Sequence, residues 1–356
     1  MAKAPQKEKK TVSAKTFTKR MHIVTEAYLS AFIAADQPRK DSVWVFDKRT
    51  KEIRLQPIKD TAVIRGFYSF DLPDGTRDIS LEEAFSRIES KAIPIIRRWC
   101  EEGAKPTVEE IPDAAAFVTC LFIRVPRTVE FIRALASATA SVSIEILVSD
   151  EEKLRAAHAY LKENGKIEES FTVEDLRELA RTFDEKFTVE TSLKYALLKS
   201  MEMFDVVYKN LLEMYWCLCD SRPYNGRFIT CDAPVNAFFY EDGKAGFGGG
   251  LGRPDVEVSI PISPYVCLSL DRKRNEKIRK AKVSFVREIN RRTAHQAERY
   301  IYSSINTQRV ARTVELGSVT LGLPLIDAEA VKENARTRMG LPAVLRRYSS
   351  DAPDGQ

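Results

Sequence analysis

The chain has 356 residues, of which 44% are hydrophobic and 30% charged, a composition typical of soluble globular proteins and not of disordered or fibrous ones. The longest apolar run, residues 114–123, is about half as long as the roughly 20 residues of a membrane-spanning helix, so we expect no membrane protein. Six cysteines are too few for a disulfide framework in a chain of this length, and the charged N-terminus has no apolar signal core. We therefore expect a protein of the reducing cytoplasm.

Positive charge is concentrated in two segments of the chain. The formal net charge is +5, but residues 1–20 carry +6 and residues 272–292 carry +8, which leaves the other 315 residues with −9. Local positive charge can recruit phosphate groups because binding releases their counterions. The alternative interpretation is a disordered solubilising leader and a solvated helix face.

The N-terminal third is predicted to contain two helices and a hairpin. Apolar residues recur at helical spacing over 21–35, which predicts a first helix. Two alternating segments, 42–47 and 52–56, flank a short polar turn and predict a β-hairpin. Ser80 resembles the first residue of a capping box and opens a helix that extends to about Cys100.

The middle of the chain is predicted to be helical. Residues 112–138 are typical of a buried helix that is interrupted near Pro126, because proline removes a backbone donor. Further amphipathic helices are predicted for 172–185 and 189–219.

After Gly226 the pattern changes to short strands, which are predicted at 227–231, 236–240, 256–260 and 266–270. A helix over 275–304 follows, and 314–325 is predicted to be a last strand or loop. Helices around a small mixed or antiparallel β element, without βαβ alternation, predict a mainly helical α+β fold. We expect a single domain over 21–348, between a disordered basic leader (1–20) and a frayed tail (349–356).

Few residues of the chain suggest chemistry. The GxSxG, HExxH, DFG and Walker motifs do not occur, so the common hydrolase and kinase classes have no support. His22 is one of three histidines and lies beside the apolar face of the first predicted helix, where it could act as a general base. A histidine that is satisfied by a backbone carbonyl is the structural alternative.

Three charged residues lie next to apolar segments. Asp232 follows the apolar segment FITC and precedes Pro234, a position that suits a metal ligand, an acid–base carboxylate or an Asx turn that ends the strand. Glu89 and Arg124 lie in otherwise apolar helical segments, and buried charges normally have partners. They could form a structural ion pair.

Several motifs occur in an order that resembles a known family. HIVTEAYLSAF, IRVP, FITCDAPV and PISP follow one another along the chain. This order resembles the bacterial domain of unknown function 4238 family, whose members have H-x-V-P-Q-x-Y-L-x-x-F, F-x-T-S-D-x-P-V and P-L-S-P. The similarity covers roughly residues 21–305, and the matching positions include His22, Tyr28, Phe32, Arg124, Pro126, Asp232, Pro234, Pro261, Pro264 and Asn290.

The chain departs from the family pattern at Thr25 and Glu26, which replace Pro-Gln, at Val125, which replaces Thr, and at Cys231, which replaces Ser. Some relatives are single-gene antiphage defence proteins. The resemblance therefore implies a defence effector, without assigning its chemistry.

Our first hypothesis is an antiphage effector that cleaves nucleic acid in a polar pocket, as a hydrolase of the nuclease type. His22 would be the general base, Asp232 a metal ligand or orienting carboxylate, and Arg124 an anion clamp. Glu89 and Asn290 would complete the catalytic site. A divalent metal ion is the candidate cofactor, with Asp232 and Glu89 as its candidate ligands.

Phosphate contacts would come from the basic helix predicted at 275–304 and the residues before it, through Lys273, Lys277, Lys280, Arg287 and Arg291. Our second hypothesis is a non-catalytic recognition protein that binds a phage component or a partner protein.

Removal of residues 1–15 is expected to leave the melting temperature within about two degrees of that of the full chain, because this polar segment offers few apolar groups to a core. Thermal unfolding of the two proteins tests this. A larger loss would show that the leader packs on the domain.

Overall fold

The fold is described from a computed structural model, which describes residues 20–34, 41–68, 70–71, 77–78, 80–183, 190–241, 244–247 and 250–319. Residues 1–19 of the predicted leader and the predicted tail 349–356 lie outside these residues. So do residues 320–325 of the last predicted element.

Helices dominate the described part of the chain. Its α-helices are α1 (Glu26–Leu29), α2 (Ser80–Glu101), α3 (Ile111–Ile123), α4 (Pro126–Ser149), α5 (Glu151–Glu163), α6 (Val173–Arg181), α7 (Leu193–Glu202), α8 (Phe204–Leu212), α9 (Val283–Gln296) and α10 (Gln308–Val319). Short 3₁₀ turns lie at Ser30–Phe32, Ile58–Asp60 and Arg222–Tyr224.

The strands form two larger sheets and two ribbons. They are β1 (Arg20–His22), β2 (Ser42–Asp47), β3 (Ile53–Pro57), β4 (Val63–Arg65), β5 (Phe70–Asp71), β6 (Arg77–Asp78), β7 (Tyr215–Asp220), β8 (Thr230–Cys231), β9 (Asn236–Glu241), β10 (Lys244–Phe247), β11 (Glu257–Pro261), β12 (Val266–Asp271), β13 (Ile278–Lys280) and β14 (Tyr300–Ser303). The six-stranded sheet has the order β10-β9-β11-β12-β7-β13, and the four-stranded sheet has the order β3-β2-β14-β8. The ribbons are β1-β4 and β5-β6. These small sheets among many helices confirm the α+β fold class.

The central strands of the six-stranded sheet, β7, β11 and β12, are largely buried on both faces. Its strands are antiparallel, except that β13 runs parallel to β7. On β7, Trp216 and Leu218 belong to the main core that the sheet shares with α2, α3, α7 and α8. The alternating residues Cys217 and Cys219 face a smaller cluster with Phe228 and residues of α9. The sheet therefore separates the main helices from α9.

The four-stranded sheet carries a third apolar cluster. Strand β14 lies between β2 and β8, and all three pairings of this sheet are antiparallel. Ile301 of β14 and Cys231 of β8 pack with Ala294 of α9 and with Val310 and Val314 of α10. This contact seats the α9–α10 pair on the sheet.

Several sequence predictions are confirmed by these elements. The hairpin is β2–β3, the capping-box helix is α2, and the helix interrupted near Pro126 is the pair α3 and α4. The predicted helix 172–185 corresponds to α6 over its described residues. The four strands predicted after Gly226 correspond to β8, β9, β11 and β12.

The predicted helix over 21–35 is wrong. Residues Arg20–His22 form β1 and pair with β4, and the helix that follows is the single turn α1, capped by the Thr25 hydroxyl, which accepts from the Tyr28 N–H at 3.1 Å. The Tyr28 hydroxyl is hydrogen-bonded to the Thr230 hydroxyl at 2.7 Å and donates to the Pro261 carbonyl. Pairing with distant segments overrides the local helical pattern here.

The two long predicted helices at 189–219 and 275–304 are each wrong in part. The first divides into α7, α8 and strand β7, whose continuous apolar sequence reflects a sheet covered on both faces. The second divides into β13, α9 and β14, and residues 308–319, where a strand or loop was expected from 314, form α10. Short apolar segments do not distinguish strand from helix.

Helix α4 is long and apolar enough to cross a membrane, by length and composition. It has 24 residues, its most apolar 18-residue window has a mean hydropathy of 1.6, and 22% of that window is buried. Small polar residues divide its apolar ones, so no long uninterrupted apolar run marks it in the sequence. Core helices of soluble proteins meet the same criterion, so one such helix assigns no location.

Asp47, on β2, forms a contact that we expect to be sensitive to acid. Its buried carboxylate accepts from the Arg299 guanidinium at 2.8 Å and from the Arg49 N–H at 2.9 Å, and the Arg299 contact holds the pKa of Asp47 well below its usual value. The unfolded chain takes up this proton near pH 4, so this contribution to stability is present above about pH 4 and is lost as the pH falls further.

We expect Asp47→Asn to lower the free energy of unfolding at neutral pH by about 1–3 kcal/mol and to flatten the loss of stability below about pH 4. Denaturant unfolding at several pH values measures both effects, with the exposed Asp205→Asn as control. Parallel pH profiles for wild type and Asp47→Asn would contradict the assignment.

Candidate anion-binding site

Arg124 and Glu89, two of the predicted catalytic residues, form an ion pair in which Arg124 is buried and Glu89 is partly exposed. Arg124 caps the C-terminus of α3 and is 2% exposed. Its Nη1 donates to Glu89 Oε1 at 2.8 Å, and its Nε donates to the Ile23 carbonyl at 3.0 Å. The Tyr68 hydroxyl donates to the Arg124 carbonyl, and Nη2 is buried without a partner among the described residues. The pair joins α2, α3 and the segment after β1.

His22 directly precedes Ile23, whose carbonyl contacts this ion pair. Its Nε2 is 3.0 Å from Glu26 Oε1, and its Nδ1 is buried without a hydrogen-bond partner in the described part of the chain. Because the neighbouring Ile23 carbonyl accepts from Arg124, the structure brings His22, Glu89 and Arg124 into one region. Its role as a general base stays a prediction.

Asp232 joins two segments that are distant in sequence. Its Oδ1 accepts from the Glu298 N–H, and its Oδ2 accepts from the N–H groups of Arg299 and Tyr300, each at 2.8 Å. Burial raises the pKa of Asp232, although the three backbone N–H groups act in the opposite direction. This geometry is not the Asx turn offered as the alternative, in which the carboxylate would accept from an N–H two residues on, where Pro234 has none. Within the described residues no hydrogen bond or ion pair joins Asp232 to His22 or Arg124.

The described residues provide few candidate ligands for the predicted metal ion. No group of three or more His, Cys, Asp or Glu side chains is placed to hold a metal ion in the part of the chain that is described. Asp232 is engaged with backbone N–H groups, and Glu89 is engaged with Arg124. The two candidate ligands are thus committed to different partners.

The five predicted phosphate-binding residues do not share one helix. Lys273 and Lys277 lie in the loop before β13 and Lys280 lies in β13, so only Arg287 and Arg291 belong to α9. Lys277 Nζ donates to the Pro106 carbonyl at 3.2 Å, and Arg291 pairs with Glu288 at 2.9 Å. The prediction of one continuous basic helix is therefore wrong.

Arg287 instead lines a cavity of about 290 Å³ between α9, α10 and the segment after β7. Two further arginines, Arg227 and Arg309, line the same cavity, together with the polar side chains of Asn290 and Thr307. No acidic side chain is among the described residues that line it. Three arginines from three separate segments thus line one cavity.

Local packing places Arg227 at the cavity. A Cβ added to the preceding Gly226 would lie 2.8 Å from Val286 Cγ2, so only glycine lets the chain approach α9 this closely. The Asn290 side chain accepts from the Ile229 N–H at 3.0 Å and donates to the Arg227 carbonyl at 2.8 Å. Asn290 therefore fixes the backbone that carries Arg227 to α9.

Two helices begin at this cavity. Val283 is the first residue of α9, and α10 begins at Gln308, directly after Thr307, whose hydroxyl accepts from the Val310 N–H at 3.3 Å. Helix N-termini carry partial positive charge and free N–H groups, which favour anions. The side chains of Arg287 and Arg309 have no acidic partner among the described residues. The cavity is therefore suited to bind an anion.

Sequence reasoning identified part of this site. Arg287 was predicted as a phosphate contact, and Asn290 was predicted as catalytic, although its amide binds backbone groups. Arg227, Thr307 and Arg309 were missed. Neither spacing nor local pattern connects these three positions to α9, because tertiary contacts bring them together.

Fold and cavity thus define a mainly helical α+β protein with an arginine-lined site. The chain belongs to the family described as protein of unknown function (DUF4238), whose model matches residues 20–307 and confirms the resemblance. The match includes Arg227, Arg287 and Thr307 and ends before Arg309. Searches of curated proteins and of solved structures gave no match.

Asn290→Ala is expected to lower the free energy of unfolding by about 2–3 kcal/mol, because it leaves the Ile229 N–H and the Arg227 carbonyl without their partner. Denaturant unfolding measures this loss. As control, Asn164→Ala removes an exposed amide contact at the end of α5 and should cost less than about 1 kcal/mol. Wild-type stability of Asn290→Ala would argue against a structural role for this amide.

Proposed function

We propose that the protein recognises nucleic acid by binding its phosphate groups in the cavity lined by Arg227, Arg287 and Arg309. The observation that supports this proposal is the convergence of three arginines without an acidic neighbour in the described lining. A guanidinium group presents a planar fork of donors that matches the oxygen atoms of a phosphate.

Further cations extend the positive surface around the cavity. Lys282 caps α9 next to Val283, and Arg312 lies next to Thr313, two residues of the lining. Both cations are exposed and have no acidic partner among the described residues. A strand bound at the cavity could continue along them, since grooves with positive charge follow nucleic-acid backbones.

The arrangement favours recognition over cleavage as the role of this site. His22, the predicted general base, lies with Arg124 and Glu89 near β1, whereas the arginines of the cavity belong to α9, α10 and the segment after β7. A general base must reach the proton that it abstracts within about 3 Å, or through one water molecule. No His, Asp, Glu, Lys, Tyr or Cys is among the described residues that line the cavity.

The antiphage part of this proposal rests on the family resemblance, and phage nucleic acid would then be the component that the protein recognises. We propose a cytoplasmic location because phage nucleic acid would be met there. Binding of nucleic acid is the part that the cavity supports and that can be measured first.

The double variant Arg287→Gln/Arg309→Gln is expected to weaken binding of single-stranded oligonucleotides at least about tenfold at low salt. It should also reduce the slope of log affinity against log salt by about 1.5, because two phosphate contacts are lost. Fluorescence anisotropy between about 50 and about 200 mM salt measures both quantities.

The control is Arg155→Gln, which removes one positive charge from α5, where Arg155 is 71% exposed and pairs with Glu151. It should bind like wild type. Both substituted arginines of the cavity are exposed, so the double variant should keep the wild-type melting temperature. Unchanged affinity and slope in a folded double variant would refute the proposal.

A further inference from the structure

We propose that the cavity binds the terminal phosphomonoester of a nucleic-acid strand in preference to an internal phosphodiester. This inference rests on the proposed function and specifies which phosphate the site selects. Its grounds are the charge of the cavity, the number of donor groups and the apolar part of the lining.

Charge favours a phosphomonoester. An internal phosphodiester carries one negative charge, whereas a terminal phosphate carries about −1.5 to −2 at neutral pH. Arg227, Arg287 and Arg309 contribute three positive charges, and the N-termini of α9 and α10 add partial positive charge. No acidic side chain of the described lining offsets them. The ligand with the larger negative charge therefore gains more electrostatic binding free energy at this site.

The number of donor groups gives the same preference. A phosphomonoester has three terminal oxygens that accept hydrogen bonds, whereas a diester uses two of its four oxygens to continue the chain. The three arginines of the lining can supply charged donors to all three terminal oxygens, because each guanidinium group can donate two parallel hydrogen bonds. A diester in the same place would offer fewer terminal oxygens to these donors.

The shape of the cavity suits the end of a strand. Its volume, about 290 Å³, is close to the lower limit of about 300 Å³ for small-ligand pockets, so it holds one end group and not a duplex. The lining also includes four apolar residues, Val283, Val286, Ile305 and Val310. A terminal nucleotide could place its sugar or base against these residues. Backbone phosphates that are contacted on an open surface need no apolar contacts of this kind.

Arg227 is held in place before a ligand arrives. Its guanidinium group lies 4.9 Å from the centroid of the Tyr265 ring, and Asn290 binds its carbonyl. Val286 lines the cavity and also packs in the cluster behind α9 with Phe228. A side chain that is already held loses less entropy on binding than a freely rotating one.

The test compares three single-stranded oligonucleotides of one sequence, labelled internally, with a 5′-phosphate, a 3′-phosphate or hydroxyl groups at both ends. We expect at least one phosphorylated form to bind wild type about tenfold or more tightly than the dihydroxyl form. Arg227→Gln and Arg287→Gln should each remove most of this preference, whereas Arg155→Gln should keep it.

The outcomes separate the two proposals. Equal binding of all three oligonucleotides, weakened by Arg287→Gln, would overturn the selection of a terminal phosphate and leave nucleic-acid recognition intact. Absence of binding to every oligonucleotide would overturn both. A preference for a phosphorylated end that survives Arg227→Gln and Arg287→Gln in folded proteins would place the terminal phosphate elsewhere and overturn this inference. Melting temperatures verify that each variant is folded.

Discussion

The buried carboxylate of Asp232 holds together the elements on which the cavity depends. It accepts three successive backbone N–H groups, from residues 298–300, and so ties the end of β8 to the link between α9 and β14. The Arg299 side chain continues the connection to Asp47 on β2. Burial of a carboxylate is costly, and its pKa is raised accordingly. Three charge-assisted hydrogen bonds offset that cost and define where α9 ends.

Helix α9 contributes residues both to the core and to the cavity. Val286 and Ile289 pack on the back of the six-stranded sheet, and Ala294 packs with the four-stranded sheet. The remaining surface carries Asn290, which binds the backbone on either side of Phe228, and Arg287, which lines the cavity. Core packing therefore positions the backbone that carries Arg287, whereas Arg227 and Arg309 reach the cavity from other segments.

The parts of the fold that follow from local pattern could be predicted from the sequence. The hairpin β2–β3 and helices α2 and α3 have alternating or helical spacing, and they were found, whereas α4 was predicted to end near residue 138 and continues to Ser149. Strand β7 was missed because a strand buried on both faces is apolar throughout, as a buried helix is. At the site, charge density and a family motif pointed to Arg287 and Asn290. Arg227 and Arg309 could not be found, since only tertiary contacts bring them to α9.

The arginines of the basic segment differ in whether the fold already provides them with partners. Arg272 donates to backbone carbonyls and to Asn210, Arg274 pairs with Asp271, and Arg292 pairs with Glu288. These are three of the ten Lys and Arg residues in 272–292, and their charges are already paired within the fold. Arg287 has no acidic partner among the described residues, and it faces a cavity with Arg309, which has none either. Neighbouring arginines of the segment already have acidic partners within the chain. An anion bound at the cavity would supply the missing counter-charge to Arg287 and Arg309, so a bound phosphate would be stabilised most at this place.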